Sequence, residues 1–159
     1  MDLKIRRMAI KDKTAIVRML QNMPEFKPAE ILIAEEVLDS YLRDSTESGY
    51  YVLVAEIDSL IAGYICYGPT PLTEGTWDIY WVAVAPNRQS QGIGKSLLSF
   101  AETAIKELKG RMAVIETSSK PEYETTRHFY LGQGYDLTCR IADFYAAGDD
   151  KLIMVKRLI

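Results

Sequence analysis

The stretch Gln89-Ser90-Gln91-Gly92-Ile93-Gly94 joins an apolar run to an amphipathic one, and a junction of that kind can hold an anion. Where a strand turns into a helix, the first N–H groups of the helix lack intrahelical acceptors and point out at the positive end of its dipole. A pyrophosphate can sit there without a dedicated lysine. Gly92 and Gly94 let the backbone approach such an anion where a Cβ would intrude. Taken alone, the same residues also suit a plain strand-to-helix turn.

Spacing separates the competing nucleotide patterns. A Walker A loop ends as Gly94-Lys95-Ser96 does, but Gln89 stands where its first glycine belongs. A dinucleotide fingerprint needs a third glycine where Leu97 stands, and this junction lies mid-chain after a hairpin. The pattern Gln/Arg-x-x-Gly-x-Gly/Ala fits at every position. Among other reactive side chains, Cys66 and Cys139 lie in strand-like runs with no base beside them, which suits small buried hydrophobes and not a covalent nucleophile. With one histidine, His128, and no CxxC or HxxxH spacing, no metal site is expected.

The elements that must position this junction follow from periodicity. Leu3 to Met8 alternates as a strand, and Lys11 to Met23 carries Ile16, Val17, Met19 and Leu20 at helical spacing. After Glu25-Phe26-Lys27-Pro28 a second helix runs to about Asp44, its buried stripe Ile31, Leu32, Val37, Leu38, Tyr41 and Leu42. Tyr50 to Ile57 and Leu60 to Tyr67 form a hairpin, and Thr76 to Ala85 is a strand ended by Pro86. Ile93 to Leu108 is a helix closed by Gly110. Met112 to Ile115 is a short apolar strand, and Pro121 to Gly132 is a helix with proline in its first turn. Tyr135 to Tyr145 and Leu152 to Leu158 are strands around the turn Ala146-Ala147-Gly148-Asp149-Asp150.

A chain of 159 residues with 48% hydrophobic and 26% charged residues is expected to form a single domain over residues 1–159. No segment approaches the apolar length of a membrane span, and the start lacks a signal-peptide run, so a cytoplasmic location is expected. A net charge of -3 gives no electrostatic case for nucleic acid.

The phosphate motif, together with Phe129-Tyr130-Leu131-Gly132-Gln133-Gly134-Tyr135, resembles the Gcn5-related N-acetyltransferase (GNAT) superfamily, and the order of elements matches over nearly the whole chain. The resemblance implies an α/β fold: a mixed, mainly antiparallel sheet of about seven strands with four helices, ordered β-α-α-β-β-β-α-β-α-β-β. It implies acetyl-CoA as cosubstrate, its pyrophosphate held by Gln89, Ser90, Gln91, Gly92, Ile93, Gly94 and Lys95, and its pantetheine arm paired with the backbone of Val82 and Val84. Tyr130 matches the family's general acid. Asp78 and Glu116 match two alternative base positions, which the sequence leaves unranked. The chain departs from the family in Tyr123 and Thr126, where asparagine and alanine are frequent.

The activity implied is acyl transfer to an amine of a small molecule or of a peptide or protein N-terminus, by direct attack in a ternary complex. The Met23-Pro24-Glu25-Phe26 loop and the hairpin from Asp143-Phe144-Tyr145 to Asp149-Asp150 carry acidic and aromatic residues that suit a cationic acceptor. A CoA-binding domain without turnover and a nucleotide-binding protein are the alternatives, and an exposed terminal strand leaves a homodimer open.

Overall fold

The computed structural model describes residues 2–159. Strand β1 is Leu3–Arg7. A 3-10 turn at Ile10–Asp12 leads into α1, Lys13–Gln21, and α2 follows at Pro28–Arg43. Strands β2 (Tyr51–Ile57), β3 (Leu60–Pro69) and β4 (Thr76–Val84) come next. Then come α3 (Ile93–Glu107), β5 (Met112–Ser118), α4 (Glu124–Gly132), β6 (Asp136–Ala146) and β7 (Asp149–Arg157). This is the expected order of elements.

The strands form one sheet in the order β1-β2-β3-β4-β5-β7-β6. Neighbours are antiparallel except β4 and β5, which run parallel because α3 carries the chain across the sheet between them. Both faces are covered, which is why β2 and β3 read as nearly continuous apolar runs. Leu53, Ile65, Ile79 and Ile115 pack beneath Ile93, Leu97, Leu98 and Ile105 of α3, with Tyr130 of α4 in the same core. Val52, Val54, Tyr64 and Cys66 point the other way, against Ile16 and Leu20 of α1 and Leu38 of α2. Leu32, expected in the buried stripe of α2, is 65% exposed, because only one side of that helix meets the sheet.

Two irregularities open the middle of the sheet. Trp81 pairs with Cys66 and Ile79 with Tyr67, so Tyr80 is an extra residue, a β-bulge in β4. Pairing between β4 and β5 runs only from Thr76↔Met112 to Ile79↔Ile115. Beyond that register the two strands separate.

Three boundary differences bear on the site. Strand β5 continues past Ile115 to Ser118 because β7 pairs with it there, Ser118 opposite Lys151. The helix expected from Pro121 starts as a 3-10 turn at Pro121–Tyr123 and becomes α-helical at Glu124. Asp149 and Asp150, expected in a turn, open β7. Their charges are satisfied across the sheet: Ser118 Oγ donates to Asp149, and Asp150 accepts the Asp143 N–H at 2.8 Å. Polar type suggested solvent there, and pairing overruled it.

Candidate active site

At the end of β4 the chain makes a 3-10 turn at Pro86–Arg88 and enters α3 through Ser90, φ +63°, and Gly92, φ +82°. The first bond of the helix runs from Ser96 N–H to the Gly92 carbonyl at 3.0 Å, and no side chain caps the N-terminus. The preceding amides are therefore left for another acceptor. A Cβ placed on Gly92 would meet no atom within 4 Å, so the space above the turn is open, while its left-handed φ favours glycine. This open, amide-lined turn fits a pyrophosphate.

The side chains of the motif do other work. Gln89 Nε2 donates to the Val84 carbonyl at 3.2 Å and pins the loop to β4. Ile93 is 1% exposed and belongs to the core, so only its amide is available. Ser90 and Gln91 are exposed. A Cβ on Gly94 would come within 3.4 Å of Phe129 and 3.6 Å of Val84, so Gly94 sits where α3, α4 and β4 meet. Lys95 borders a shallow groove of about 690 Å³ on the outer side of α3, shared with Leu3, Ile5 and Phe100. That groove holds neither Tyr130 nor either candidate base.

Beyond the splay, Val82 and Val84 pair only with β3, opposite Ile65 and Gly63. The Val84 carbonyl meets Gln89 instead of β3, so it points to the open edge. Alternate residues of a strand share an edge, so the Val82 peptide groups point there too. An extended amide chain could pair with this edge as an added strand.

Below the turn, β4 and β5 diverge around a cleft of about 630 Å³. Tyr80, Trp81 and Val82 line one side and Ile115 to Ser118 the other. The loop from Met23 to Lys27, Tyr123 and Tyr130 of the α4 region, and Tyr145 complete the wall.

Tyr130 is 5% exposed, and its ring meets Tyr135 edge-on with centroids 5.9 Å apart. Tyr135 Oη donates to Glu102 at 2.8 Å, and Glu102 also takes Lys156 Nζ at 3.0 Å, so the ring behind Tyr130 is anchored to α3. Among the described residues the Tyr130 hydroxyl has no hydrogen-bond partner, and it lines the cleft. Burial pushes its pKa above the ordinary tyrosine value, so it stays protonated and can act as an acid.

The two candidate bases part company here. Glu116 lines the cleft, half exposed, with Lys151 Nζ 2.9 Å from its carboxylate and 4.4 Å over the Phe144 ring. Asp78 lies in the paired part of β4, between Gly68 and Val114, and accepts a hydrogen bond from Thr70 Oγ1 at 2.7 Å. It does not reach the cleft wall. His128 is exposed, Cys66 is fully buried with its thiol pushed up by burial, and Cys139 lies exposed on β6.

Other wall residues escape a linear reading. Tyr123, Oη donating to the Glu25 carbonyl at 3.0 Å, ties the start of α4 to the loop between α1 and α2 across 98 positions. Asp149, 7% exposed, lines the cleft with Ser118 on one oxygen and Lys120 Nζ 3.8 Å from the other. Only the acidic and aromatic composition of the two loops hinted at this wall. Among the described residues no group of three His, Cys, Asp or Glu could hold a metal ion, and no helix is long and apolar enough to cross a membrane.

A seven-stranded sheet splayed at its one parallel pair, with an uncapped helix turn above the splay, defines a GNAT-type fold. The family model described as "Acetyltransferase (GNAT) domain" matches residues 48–137. The structure also superimposes on that of a GNAT-family protein from Desulfovibrio desulfuricans, 38% identical over 99% of this chain and 100% of that one, TM-score 0.96. The chain belongs to the GNAT acetyltransferase family.

More distant structures share the fold. The PaiA N-acetyltransferase from Thermoplasma acidophilum, solved with coenzyme A, is 18% identical over 99% of both chains, TM-score 0.78. A ribosomal-protein-alanine N-acetyltransferase from Brucella melitensis is 23% identical over 97% and 99%, TM-score 0.75. A search of curated sequences found no match.

Proposed function

We propose that this chain transfers an acetyl group from acetyl-CoA to an amine, with Tyr130 as general acid and Glu116 as the carboxylate that takes the amine proton. The observation that carries this reading is that β4 ends in the open turn at Gly92 while, just before it, its unpaired edge and Tyr130, whose hydroxyl has no protein partner, border one cleft. Acetyl-CoA would supply a thioester, an acyl group already activated toward nucleophiles. The amides between Ser90 and Lys95 would hold its pyrophosphate and the edge at Val82 its pantetheine arm.

The remaining chemistry is proton management. An alkylammonium has a pKa of about 10.4, so it must lose a proton before it can attack. Glu116, directly or through water, would accept that proton, and Lys151 keeps the carboxylate anchored at the cleft wall. One C–S bond is exchanged for one C–N bond, the sulfur takes a proton from Tyr130, and nothing is oxidised. The Tyr130 phenol regains its proton from solvent before the next turnover. Direct attack is favoured because neither cysteine lines the cleft.

Isothermal titration with acetyl-CoA and with ATP-Mg, beside a Gly92→Trp, Gly94→Trp double variant, tests the reading. Saturable acetyl-CoA binding that the variant loses, with no ATP heat, supports it. A folded sample that ignores acetyl-CoA overturns it.

A further inference from the structure

The cleft wall carries more carboxylates than the chemistry of one proton transfer needs. Glu25, Glu30, Glu116, Glu122 and Asp149 line it, against Lys27 and Lys120. Lys120 is committed to Asp149, and the nearby Lys151 to Glu116. The Glu30 carboxylate accepts the Lys27 backbone N–H at 3.2 Å as a helix cap. Among the described residues Glu25 and Glu122 have no side-chain partner, so the mouth near Tyr123 has a surplus of negative charge.

The carboxylates of the wall fall in two groups: Glu25, Glu30 and Glu122 about Tyr123, whose hydroxyl donates to the Glu25 carbonyl, and Glu116 on β5, paired with Lys151. The Tyr123 hydroxyl is pushed up to about 12 by burial and then by Glu30, Glu122, Asp149 and Glu25. The Tyr80 hydroxyl, on the other wall, is also pushed up to about 12, by burial, with Asp78 and Glu116 among the charges that raise it. The Tyr145 hydroxyl is pushed up by burial, opposed by Lys151 and supported by Glu116, Asp149 and Glu30, and Tyr145 lines the same cleft. The rings of Phe26, Trp81 and Tyr145 line the cleft that joins the two groups.

Tyr130, 5% exposed as a residue, turns a hydroxyl with no protein partner among the described residues into the same cleft. Resting on the acyl-transfer reading, we propose that the acceptor is a small amine with two cationic ends on an apolar stem, a diamine or longer polyamine. Its reacting nitrogen lies by Glu116 and Tyr130, and its second ammonium lies among Glu25, Glu30 and Glu122. The aromatic rings take the methylenes and attract the cations by their π faces. A peptide N-terminus matches the wall less well, since it offers one cation and then amides that need partners the aromatic middle lacks.

The test measures CoA release from acetyl-CoA with α,ω-diaminoalkanes of increasing length, the matching monoalkylamines, and a peptide with a free N-terminal alanine. The expected result is a kcat/KM for the best diamine about tenfold or more above that of its monoamine, shrinking as salt is raised. In a Glu25→Gln, Glu122→Gln variant the diamine-over-monoamine ratio falls toward one. Both residues are at least partly exposed, so the variant is expected to fold. Equal rates for diamine and monoamine, or a preference for the peptide, would overturn the proposal. Acetyl-CoA binding without diamine-dependent CoA release would overturn it while leaving the cofactor site standing, whereas loss of acetyl-CoA binding itself would strike the acyl-transfer reading.

Discussion

The proposed cofactor and acceptor regions are built from different parts of the chain. In the proposed cofactor region, the turn from Ser90 to Lys95 and the edge of β4 offer main-chain groups, and Gln89 and Ile93 of the motif point elsewhere, to the Val84 carbonyl and to the core. In the proposed acceptor region the charged and aromatic side chains come from the loop between α1 and α2, the splayed strands, the start of α4 and the hairpin of β6 and β7. Main chain can bind a ligand common to many relatives while its side chains drift. Side chains can be changed one at a time, so an acceptor site assembled from four segments can be retuned without disturbing the cofactor.

That contrast predicts a graded response to mutation. The largest effect is expected for Gly92→Trp, which fills the open space above the turn and forces an L side chain to a left-handed φ. Losing two charge-assisted contacts would weaken acetyl-CoA binding by about a thousandfold, read by titration. Retained binding would mean that the amides of the turn are not the cradle.

Next comes Tyr130→Phe, expected to lower kcat by about a hundredfold with little change in acetyl-CoA affinity. Because burial raises the phenol, wild-type activity should fall on the alkaline side only above the ordinary tyrosine range near about 10, and the variant should lose that limb. An alkaline limb that survives in the variant would assign it to another group.

Glu116→Gln is expected to cost about tenfold in kcat, less than the acid because water can carry part of the proton traffic. Asp78→Asn is expected to leave kcat within about twofold, since its carboxylate meets Thr70 outside the cleft. The reverse ranking in steady-state kinetics would restore Asp78 as the base.

The smallest effect on function is expected for Val84→Ala. It trims a side chain packed against the core, costing about 1 kcal/mol of stability by thermal melting, yet should leave acetyl-CoA affinity within about twofold. A larger loss would show that the proposed cofactor region depends on side chains after all, and the contrast with the acceptor region would fail.

The order of elements, the covered faces of the sheet and the glycine turn into α3 were legible in the sequence because they rest on local rules. Continuous β-branched and aromatic runs marked β2 and β3, period 3.6 marked α3, and the spacing Gln89-x-x-Gly92-x-Gly94 marked a turn whose conformation only nearby residues determine. The resemblance carried by Phe129 to Tyr135 put Tyr130 beside it. What the tertiary structure alone decided depends on groups distant in the chain. It placed Glu116 in the cleft and Asp78 outside it, through a parallel pairing that stops at Ile79↔Ile115. It drew Asp149 out of an apparent turn and into a strand by bonding it to Ser118, and it tied Tyr123 to Glu25. A strand-end carboxylate looks the same in sequence whether its neighbour strand stays or leaves. Its chemistry is fixed only when the fold sets what lies beside it.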